Sequence, residues 1–163
     1  MFREMRRIKQ LLSHEEAEAV LNRNTAGILA VSGDDDYPYA VPLSYVYCDG
    51  KIIFHSAKKG HKLDGIANNE KVSFCVVDKD EIVPEKFTTY FRSVICFGRA
   101  RILEDREEII EAANALALKY APDSSMESRM NEINSEFKAM TVVVIDIEHM
   151  TAKEAIELVN MKK

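Results

Sequence analysis

The sequence predicts a mainly β fold, in which one antiparallel sheet or barrel carries peripheral helices. Strand-like runs of β-branched and aromatic residues are short and follow one another through turn signals such as Asp49-Gly50. Helical patterns seldom separate these runs, as they would in a doubly wound parallel sheet. The chain has 163 residues, 47% of them hydrophobic, which suffices for a sizeable core, and we treat residues 1–163 as a single domain.

Composition limits the partners that we expect. A formal net charge of −5 counts against binding to nucleic acid, which depends on neutralising phosphates. Residues 1–12 nevertheless form a basic N-terminal arm, with Arg3, Arg6, Arg7 and Lys9. No apolar run approaches the roughly 20 residues of a membrane span, and the N-terminus lacks the apolar core of a signal peptide. We therefore expect a cytoplasmic protein that binds no nucleic acid and no membrane.

Cysteine usage indicates a reducing compartment. Cys48, Cys75 and Cys96 are odd in number, widely spaced and without a Cys-x-x-Cys pair. This arrangement favours neither a disulfide framework nor a structural zinc site. Cys75 and Cys96 lie in apolar strand-like runs, where a free thiol behaves as a small buried hydrophobe.

The first elements are a helix and two strands. Ser13 and Glu16 have the spacing of a capping box at a helix start, and residues 25–31 read as a strand. In the next strand, residues 37–47, alternation places tyrosine, valine and leucine on one face and small residues on the other. Pro42 cannot donate to a ladder, so we expect an edge, a bulge or a break there. The small face suits a flat ligand, and a plain edge strand is the alternative.

A strand, a polar turn and a helix start follow at residues 54–64. Gly60 supplies the conformational freedom of a tight turn, and apolar residues then recur at helical spacing up to Asn68-Asn69. Unpaired amides at a helix N-terminus attract anions, and Lys58, Lys59 and Lys62 add positive charge. We interpret this turn as an anion site, most plausibly for a phosphate. A solvated surface turn is the alternative.

Two more strands, two helices and a final strand complete the pattern. Residues 71–77 and 90–103 read as strands, Gly98 suggests a bulge or a close backbone approach, and residues 78–89 read as a polar loop. Residues 105–139 form a helical insertion before the last strand, with caps at Asp105 and Ser124. Residues 141–147 are the last strand, and a short helix is predicted from Thr151.

Several chemistries lack their motifs. The sequence has no glycine-rich dinucleotide or Walker phosphate loop, no His-Glu-x-x-His and no Gly-x-Ser-x-Gly elbow. His55 and His61 are close in sequence but have no carboxylate co-ligand apart from Asp64, so we expect no metal site. An anion-binding turn, a small-faced strand and a barrel mouth or seam that could hold a ligand remain.

Four segments resemble a known family in order and spacing. They are residues 37–45 (YPYAVPLSY), 54–57 (FHSA), 60–64 (GHKLD) and 93–100 (SVICFGRA). Together they resemble the pyridoxamine 5'-phosphate oxidase-related FMN-binding split β-barrel proteins, and among these the 5-nitroimidazole resistance (Nim) branch. The resemblance extends over nearly the whole chain, and four ordered motifs are far more specific than any one alone.

The resemblance implies a split β-barrel that forms a homodimer, with FMN bound in the groove between the subunits. The isoalloxazine ring would lie along Val41, Pro42, Leu43 and Ser44. The ribityl phosphate end would be surrounded by His55, Ser56, Ala57, His61 and Lys62. Ser93 and Val94 would close the site, in this family commonly from the partner subunit. The oxidase proper carries a C-terminal arginine- and histidine-bearing motif, which residues 148–154 (EHMTAKE) do not match, so pyridoxamine phosphate oxidation is not expected.

The function expected from this resemblance is that of an FMN-dependent, nitroreductase-like oxidoreductase. It would take electrons from a small-molecule donor and reduce nitro compounds or another small acceptor, with the redox chemistry carried by the flavin. The sequence does not identify the catalytic residues, and His55 is the first candidate. Two alternatives stay open: a non-enzymatic flavin carrier or sensor, and a haem-binding split-barrel protein.

Overall fold

The computed structural model describes residues 1–163 as seven strands and five α-helices. The strands are β1 (Ala26–Ser32), β2 (Pro38–Ser44), β3 (Val46–Cys48), β4 (Lys51–Ala57), β5 (Lys71–Val83), β6 (Thr88–Ile102) and β7 (Met140–Glu154). The helices are α1 (His14–Arg23), α2 (His61–Asn68), α3 (Arg106–Tyr120), α4 (Met126–Glu136) and α5 (Ile156–Met161). Short 3-10 turns lie at Ile8–Gln10, Asp34–Asp36 and Pro84–Lys86. None of the helices has the length and apolar character that crossing a membrane requires.

One antiparallel sheet contains every strand, in the order β2-β1-β5-β6-β7-β4-β3. β2 and β3 are therefore the two edges of the sheet, yet only Tyr45 separates them along the chain. Because consecutive Cα atoms are about 3.8 Å apart, the sheet must curl until its two edges meet at this residue. The predicted antiparallel fold with peripheral helices is confirmed, and the barrel is split between β2 and β3.

Two hydrophobic cores fill the molecule. The larger lies inside the curled sheet and includes Tyr45, Phe54 and Phe74, all at most 1% exposed. Helix α1 contributes to this core through Val20 and Leu21, and α2 contributes through Leu63 and Ile66. The smaller core joins α3 and α4 to the outer face of β4 and β7, through residues that include Leu116, Ile133, Val142 and Val144. The helices α3 and α4 thus form an outer layer over one part of the sheet.

Local sequence signals account for most element boundaries. Ser13 and Glu16 form the predicted capping box, and the Asp105 carboxylate accepts a hydrogen bond from the Glu108 amide at the start of α3. The start of α4 is one residue later than predicted, because Ser125 and not Ser124 supplies the capping hydroxyl. Pro42 lies in the edge strand β2, as its missing N–H requires.

The prediction of a polar loop over residues 78–89 is wrong. β5 continues to Val83 and β6 begins at Thr88, so the segment is a two-stranded ribbon with a short turn at Pro84–Lys86. Its polar residues belong to strands because much of the ribbon extends beyond the core, so charged side chains such as Lys79 and Glu81 can form an ion pair along one open face of β5. The ladder shifts register at Asp78, which marks a bulge where the ribbon begins.

The end of the chain also departs from the prediction. The last strand runs from Met140 to Glu154 and not only over residues 141–147, and the helix begins at Ile156 and not at Thr151. The strand persists through polar residues because β6 offers it a long antiparallel partner. A register shift beside Gly98 confirms the bulge expected there, and a methyl group on Gly98 would lie 2.3 Å from the Asp146 carbonyl oxygen.

A partly buried ion network joins α1, β5, β6 and β7. The Asp78 carboxylate accepts hydrogen bonds from Arg23 and Arg92, and Arg92 also pairs with Glu154, which is fully buried. The hydrogen bond from Arg23 is the main reason why the pKa of Asp78 lies well below its usual range. Lys162 forms a second ion pair with Glu154 at 2.7 Å, which ties the C-terminus to the barrel.

The outer face of β1, β5 and β6 has no helix over it. Ile28, Cys75 and Ile95 are aligned across these three strands, and Phe97 follows on the same face of β6. Ile28, Ile95 and Phe97 are each about 40% exposed, which makes this a contiguous apolar surface. The N-terminal arm reaches only its border, where the Phe2 ring stacks on Phe97.

Candidate functional site

A cleft of about 600 Å³ lies where the split edge of the sheet faces α3 and α4. Its strand side is formed by Ser44 at the end of β2 and by His55, Ser56 and Ala57 at the end of β4. These four residues come from two of the motifs singled out in the sequence, and the curl of the sheet brings them together. The volume is in the range of small-molecule pockets.

The helix side of the cleft was not predicted. It is mainly apolar, with one tyrosine and two glutamates, and consists of Ala113, Leu116, Ala117, Tyr120, Glu132, Ile133 and Glu136. Ala139 and Met140, at the start of β7, complete the lining. The sequence shows the apolar stripe of α3 but not which part packs on the sheet and which part faces open space. The small residues Ala113 and Ala117, one turn apart, are the one sequence signal that could have indicated room beside the helix.

Ser56 carries an unpartnered polar group at the cleft. The residue is 8% exposed, and its Oγ is buried without a hydrogen-bond partner. A buried hydroxyl without a partner costs about 1–3 kcal/mol, so such groups are normally satisfied. Side chains alternate along β4, so Ser56 shares its strand face with Phe54 of the main core, and its hydroxyl is directed toward the interior of the barrel. His55, on the opposite face of the same strand, is exposed.

The start of α2 is the place where the sequence predicts an anion site. Gly60 precedes the helix with φ 153°, a backbone conformation that other residues rarely adopt, and a side chain there would meet no atom within 4 Å. No side chain caps α2, whereas α1, α3 and α4 are capped by Ser13, Asp105 and Ser125. The first amides of α2 are therefore not satisfied by a side chain, and Lys62 stands at its second position.

His61 is fixed by its neighbours and does not line the cleft. Its ring stacks on the Tyr39 ring with centroids 4.0 Å apart. Its Nε2 accepts a hydrogen bond of 3.3 Å from the Asp34 amide and lies 3.8 Å from the Asp34 carboxylate. His61 and Lys62 thus belong to the α2 end of the site, while His55, Ser56 and Ala57 belong to the cleft.

The predicted ring-binding strand divides into two faces. Val41 and Leu43 are partly buried and pack on the main core, so their side chains face inward. Pro42 and Ser44 are exposed on the outer face. Of these four residues only Ser44 lines the cleft.

Ser93 and Val94 lie away from the cleft in the central strand β6. Ser93 is on the outer face, next to Val77 in the ladder. Val94 is fully buried in the main core, so its side chain does not reach any surface of a single chain. The structure therefore brings Ser44, His55, Ser56 and Ala57 to one cleft, and leaves Ser93 on the uncovered apolar face.

Tyr120 anchors the split of the barrel at the rim of the cleft. Its hydroxyl donates to the Thr25 carbonyl and accepts a 3.1 Å hydrogen bond from the Tyr45 amide. Tyr45 in turn donates from its own hydroxyl to the Leu21 carbonyl at 2.7 Å. Burial raises the pKa of Tyr45, so this hydroxyl stays a donor over the physiological range. These bonds hold Ser44 beside α3.

No group of three or more His, Cys, Asp or Glu side chains is arranged to hold a metal ion. The cleft and the α2 start together offer hydroxyls, an imidazole, a lysine and backbone amides. This donor set suits an organic ligand with hydrogen-bonding groups and an anionic end.

Comparison with known proteins identifies similar sequences and structures. The family model described as pyridoxamine 5'-phosphate oxidase matches residues 13–154. No curated protein sequence matches this chain. Among solved structures, a candidate 5-nitroimidazole antibiotic resistance protein from Bacteroides thetaiotaomicron superposes with a TM-score of 0.75 at 20% identity, over 88% of this chain and 86% of that one.

Two further solved structures are those of FAD-binding proteins. An FAD-binding protein from Mesorhizobium loti has a TM-score of 0.61 at 26% identity, over 90% of this chain and 97% of that one. An FAD- and haem-binding protein from Mycobacterium smegmatis has a TM-score of 0.74 at 18% identity, over 90% of this chain and 73% of that one. These likenesses confirm the split-barrel fold.

Proposed function

The chain belongs to the pyridoxamine 5'-phosphate oxidase family, as its four motifs predict, and on that premise we propose that it is an FMN-binding flavoprotein. Its proposed activity is the reduction of nitro compounds or another small electron acceptor. The observation that carries the proposal is the meeting of Ser44, His55, Ser56 and Ala57 around one cleft.

The residues present fit a flavin. The flavin ring system is flat and carries hydrogen-bonding groups along one edge, and the cleft offers the Ser44 hydroxyl and the His55 imidazole. The exposed outer face of β2, with Pro42 and Ser44, gives a ring system an uncrowded strand to lie against. The same features support flavin binding in general, and the choice of FMN over FAD rests on the resemblance of the four motifs to FMN-binding proteins.

We assign the phosphate to the start of α2. The cleft itself contains no lysine or arginine and two glutamates, so it is a poor place for a phosphate. The uncapped amides of α2, with Lys62 at its second position, provide donors and positive charge. A ligand lying along the end of β4 would have its phosphate at α2 and its ring toward Ser44.

A second copy of the chain is the proposed partner. The uncovered face of β1, β5 and β6 exposes Ile28, Val77, Ile95 and Phe97, which single folded chains rarely leave open as one patch. Ser93 lies on this face. Pairing of two such faces would form a homodimer and carry Ser93 toward the flavin site of the other subunit, in keeping with the family resemblance.

A bound flavin supplies the electron-transfer chemistry, while the chain binds and orients the ligands. His55 supplies the imidazole of the cleft, and histidine is the side chain that most often acts as a general acid in enzymes, so we propose it as the proton donor to the reduced acceptor. Oxidation of pyridoxamine phosphate is not part of the proposal, because residues 148–154 do not match the motif of the oxidase proper. These residues belong to strand β7, which pairs with β6.

The proposal is tested by the absorption spectrum of freshly purified protein and by titration with FMN. We expect a flavin spectrum, or saturable FMN uptake near one flavin per chain. Colourless protein that takes up no FMN would refute it. Oxidation of a reduced nicotinamide that requires both the flavin and a nitroaromatic acceptor would support turnover, and exchange of FMN without turnover would support a carrier or sensor.

Haem binding is a second candidate function. It is favoured by the exposed His55 imidazole in an apolar cleft, an arrangement that suits an axial haem ligand, and by the likeness to an FAD- and haem-binding protein. Haem added to the protein should then give the sharp, shifted Soret band of ligated haem, and this band should be lost in His55→Ala. Absence of such a band would remove this candidate.

A further inference from the structure

The cleft has an uneven distribution of charge. Glu132 and Glu136 supply its carboxylates and His55 supplies its imidazole, while no lysine or arginine lines it. The positive side chains near the site, among them Lys62, belong to the turn and helix that follow β4. A ligand in the cleft therefore meets negative charge on the helix side and positive charge only beyond the strand side.

The two glutamates are held at the cleft and have no cationic partner. They are four residues apart in α4 and so lie on the same face of that helix. Ile133, between them, is 5% exposed and packs in the core under α3, which fixes the rotation of α4. Both glutamates are exposed and neither takes part in an ion pair, whereas Glu108 and Glu148, which are also at the surface, each pair with an arginine.

The remainder of the helix side is apolar and leaves room for a ring. Leu116 and Ile133 supply apolar surface, and the short side chains of Ala113 and Ala117 leave space beside α3. Such a wall takes a flat aromatic molecule. The unpaired carboxylates add a field that favours a positive or neutral substituent and repels a negative one.

We propose that α3 and α4 form a selectivity wall, with Glu132 and Glu136 as specificity-determining residues that admit neutral or cationic aromatic acceptors and disfavour anionic ones. The inference rests on the proposed function in one respect, namely that the molecule admitted is the acceptor for a flavin held on the strand side. The wall itself is a property of this chain's own residues.

The experiment compares three nitroaromatic probes with the same ring and different charge: 4-nitrobenzyltrimethylammonium, 4-nitrobenzyl alcohol and 4-nitrobenzoate. Their dissociation constants are measured by calorimetry on the FMN-loaded, oxidised protein and on the protein without FMN. We expect the wild type to bind the cation and the alcohol more tightly than the anion. In the double variant Glu132→Gln with Glu136→Gln, the preference for cation over anion should fall roughly three- to ten-fold.

Glu127→Gln is the matched control, because Glu127 is an exposed residue of the same helix outside the cleft. It should leave the preference unchanged. Equal urea midpoints of the variants would show that α4 keeps its fold. If the wild type binds FMN but shows no charge preference, or the double variant retains it, the inference is overturned and the proposed function stands. If FMN does not bind but the charge preference still depends on the two glutamates, the proposed function is refuted and the inference about the selectivity wall is supported.

Discussion

Gly65 of α2 packs directly on the backbone of β1, and a methyl group in its place would lie 2.7 Å from the carbonyl oxygen of Ser32. The same methyl would lie 2.7 Å from Cγ2 of Val31. Helix α2 therefore approaches the sheet more closely than any residue with a Cβ would allow. This contact sets the position of the α2 start, where we assign the phosphate.

Gly65→Ala should destabilise the protein, although alanine is the better helix former. Overpacking against β1 costs about 1–3 kcal/mol, which exceeds the gain of roughly 1 kcal/mol in helix propensity. The free energy of unfolding from urea titration measures the balance. Asn68→Ala, at the exposed end of the same helix, is the control and should be neutral or slightly stabilising. A stabilised Gly65→Ala protein would contradict the close packing of α2.

Lys62→Ala should weaken FMN binding by about 1–3 kcal/mol, because a charge-assisted hydrogen bond to the phosphate is lost. Fluorescence titration with FMN measures the change, and riboflavin, which lacks the phosphate, should lose little affinity. Lys138→Ala, an exposed lysine after α4, is the control. Unchanged FMN affinity in Lys62→Ala would remove this lysine from the site.

Ile95→Glu should convert the proposed homodimer into a monomer. The side chain points outward at the centre of the uncovered face and is 38% exposed, so a charge there is tolerated in a single chain but costly in an apolar interface. Sedimentation equilibrium measures the mass. The control is Leu118→Glu, an equally apolar and 45% exposed position on α3. A wild-type protein that is monomeric at all concentrations would exclude this interface.

Tyr120→Phe should cost about 1–2 kcal/mol of unfolding free energy, because the Tyr45 amide and the Thr25 carbonyl lose a partner at the split of the barrel. The loss should be accompanied by weaker ligand binding, since Ser44 is adjacent to this junction. Tyr37→Phe removes a hydroxyl from a tyrosine that is 75% exposed, and it should change neither property. Equal effects of the two substitutions would show that the Tyr120 hydroxyl does not support the junction.

Asp78→Asn should destabilise the protein by about 3 kcal/mol near neutral pH, because Arg23 and Arg92 lose the carboxylate that pairs them. The pKa of Asp78 is lower in the folded protein than its ordinary value of 3.8, mainly through the hydrogen bond from Arg23. The stabilisation is therefore complete above that ordinary value and is lost as the pH falls below it.

The difference in unfolding free energy between wild type and Asp78→Asn should accordingly shrink between about pH 5 and pH 2. Urea titrations at a series of pH values measure this difference. Asp80→Asn, an exposed neighbour without an ion pair, should show no such trend. A difference in unfolding free energy that stays constant over this pH range would mean that the Asp78 carboxyl has the same pKa in the folded and the unfolded protein.

The strands and helix caps could be predicted because they depend on local signals. The capping box at Ser13, the edge position of Pro42 and the bulge at Gly98 each follow from the chemistry of one or two residues. The ribbon over residues 78–89 could not, since a strand outside the core lacks the apolar alternation that marks strands in a sequence. The length of β7 depends on β6, which the sequence of β7 alone does not reveal.

Some residues of the candidate site could likewise be predicted from the sequence, and others could not. Ser44, His55, Ser56 and Ala57 were found through motifs, and the structure brings them to one cleft. Glu132 was missed, because whether a glutamate on a helix faces solvent or a cleft depends on how that helix docks. Docking is decided by long-range packing, here of Ile133 and its neighbours, and leaves no periodic trace that separates the two outcomes.

The single residue between β2 and β3 has a consequence for how this chain can vary in length. Side chains alternate along a strand, so one amino acid inserted beside Tyr45 would reverse the facing of β3 and move Tyr47 from the core to the surface. At the turn of the β5–β6 ribbon no such penalty applies, because Phe87 there is 99% exposed. Insertions and deletions should therefore accumulate at the ribbon turn and be absent from the junction.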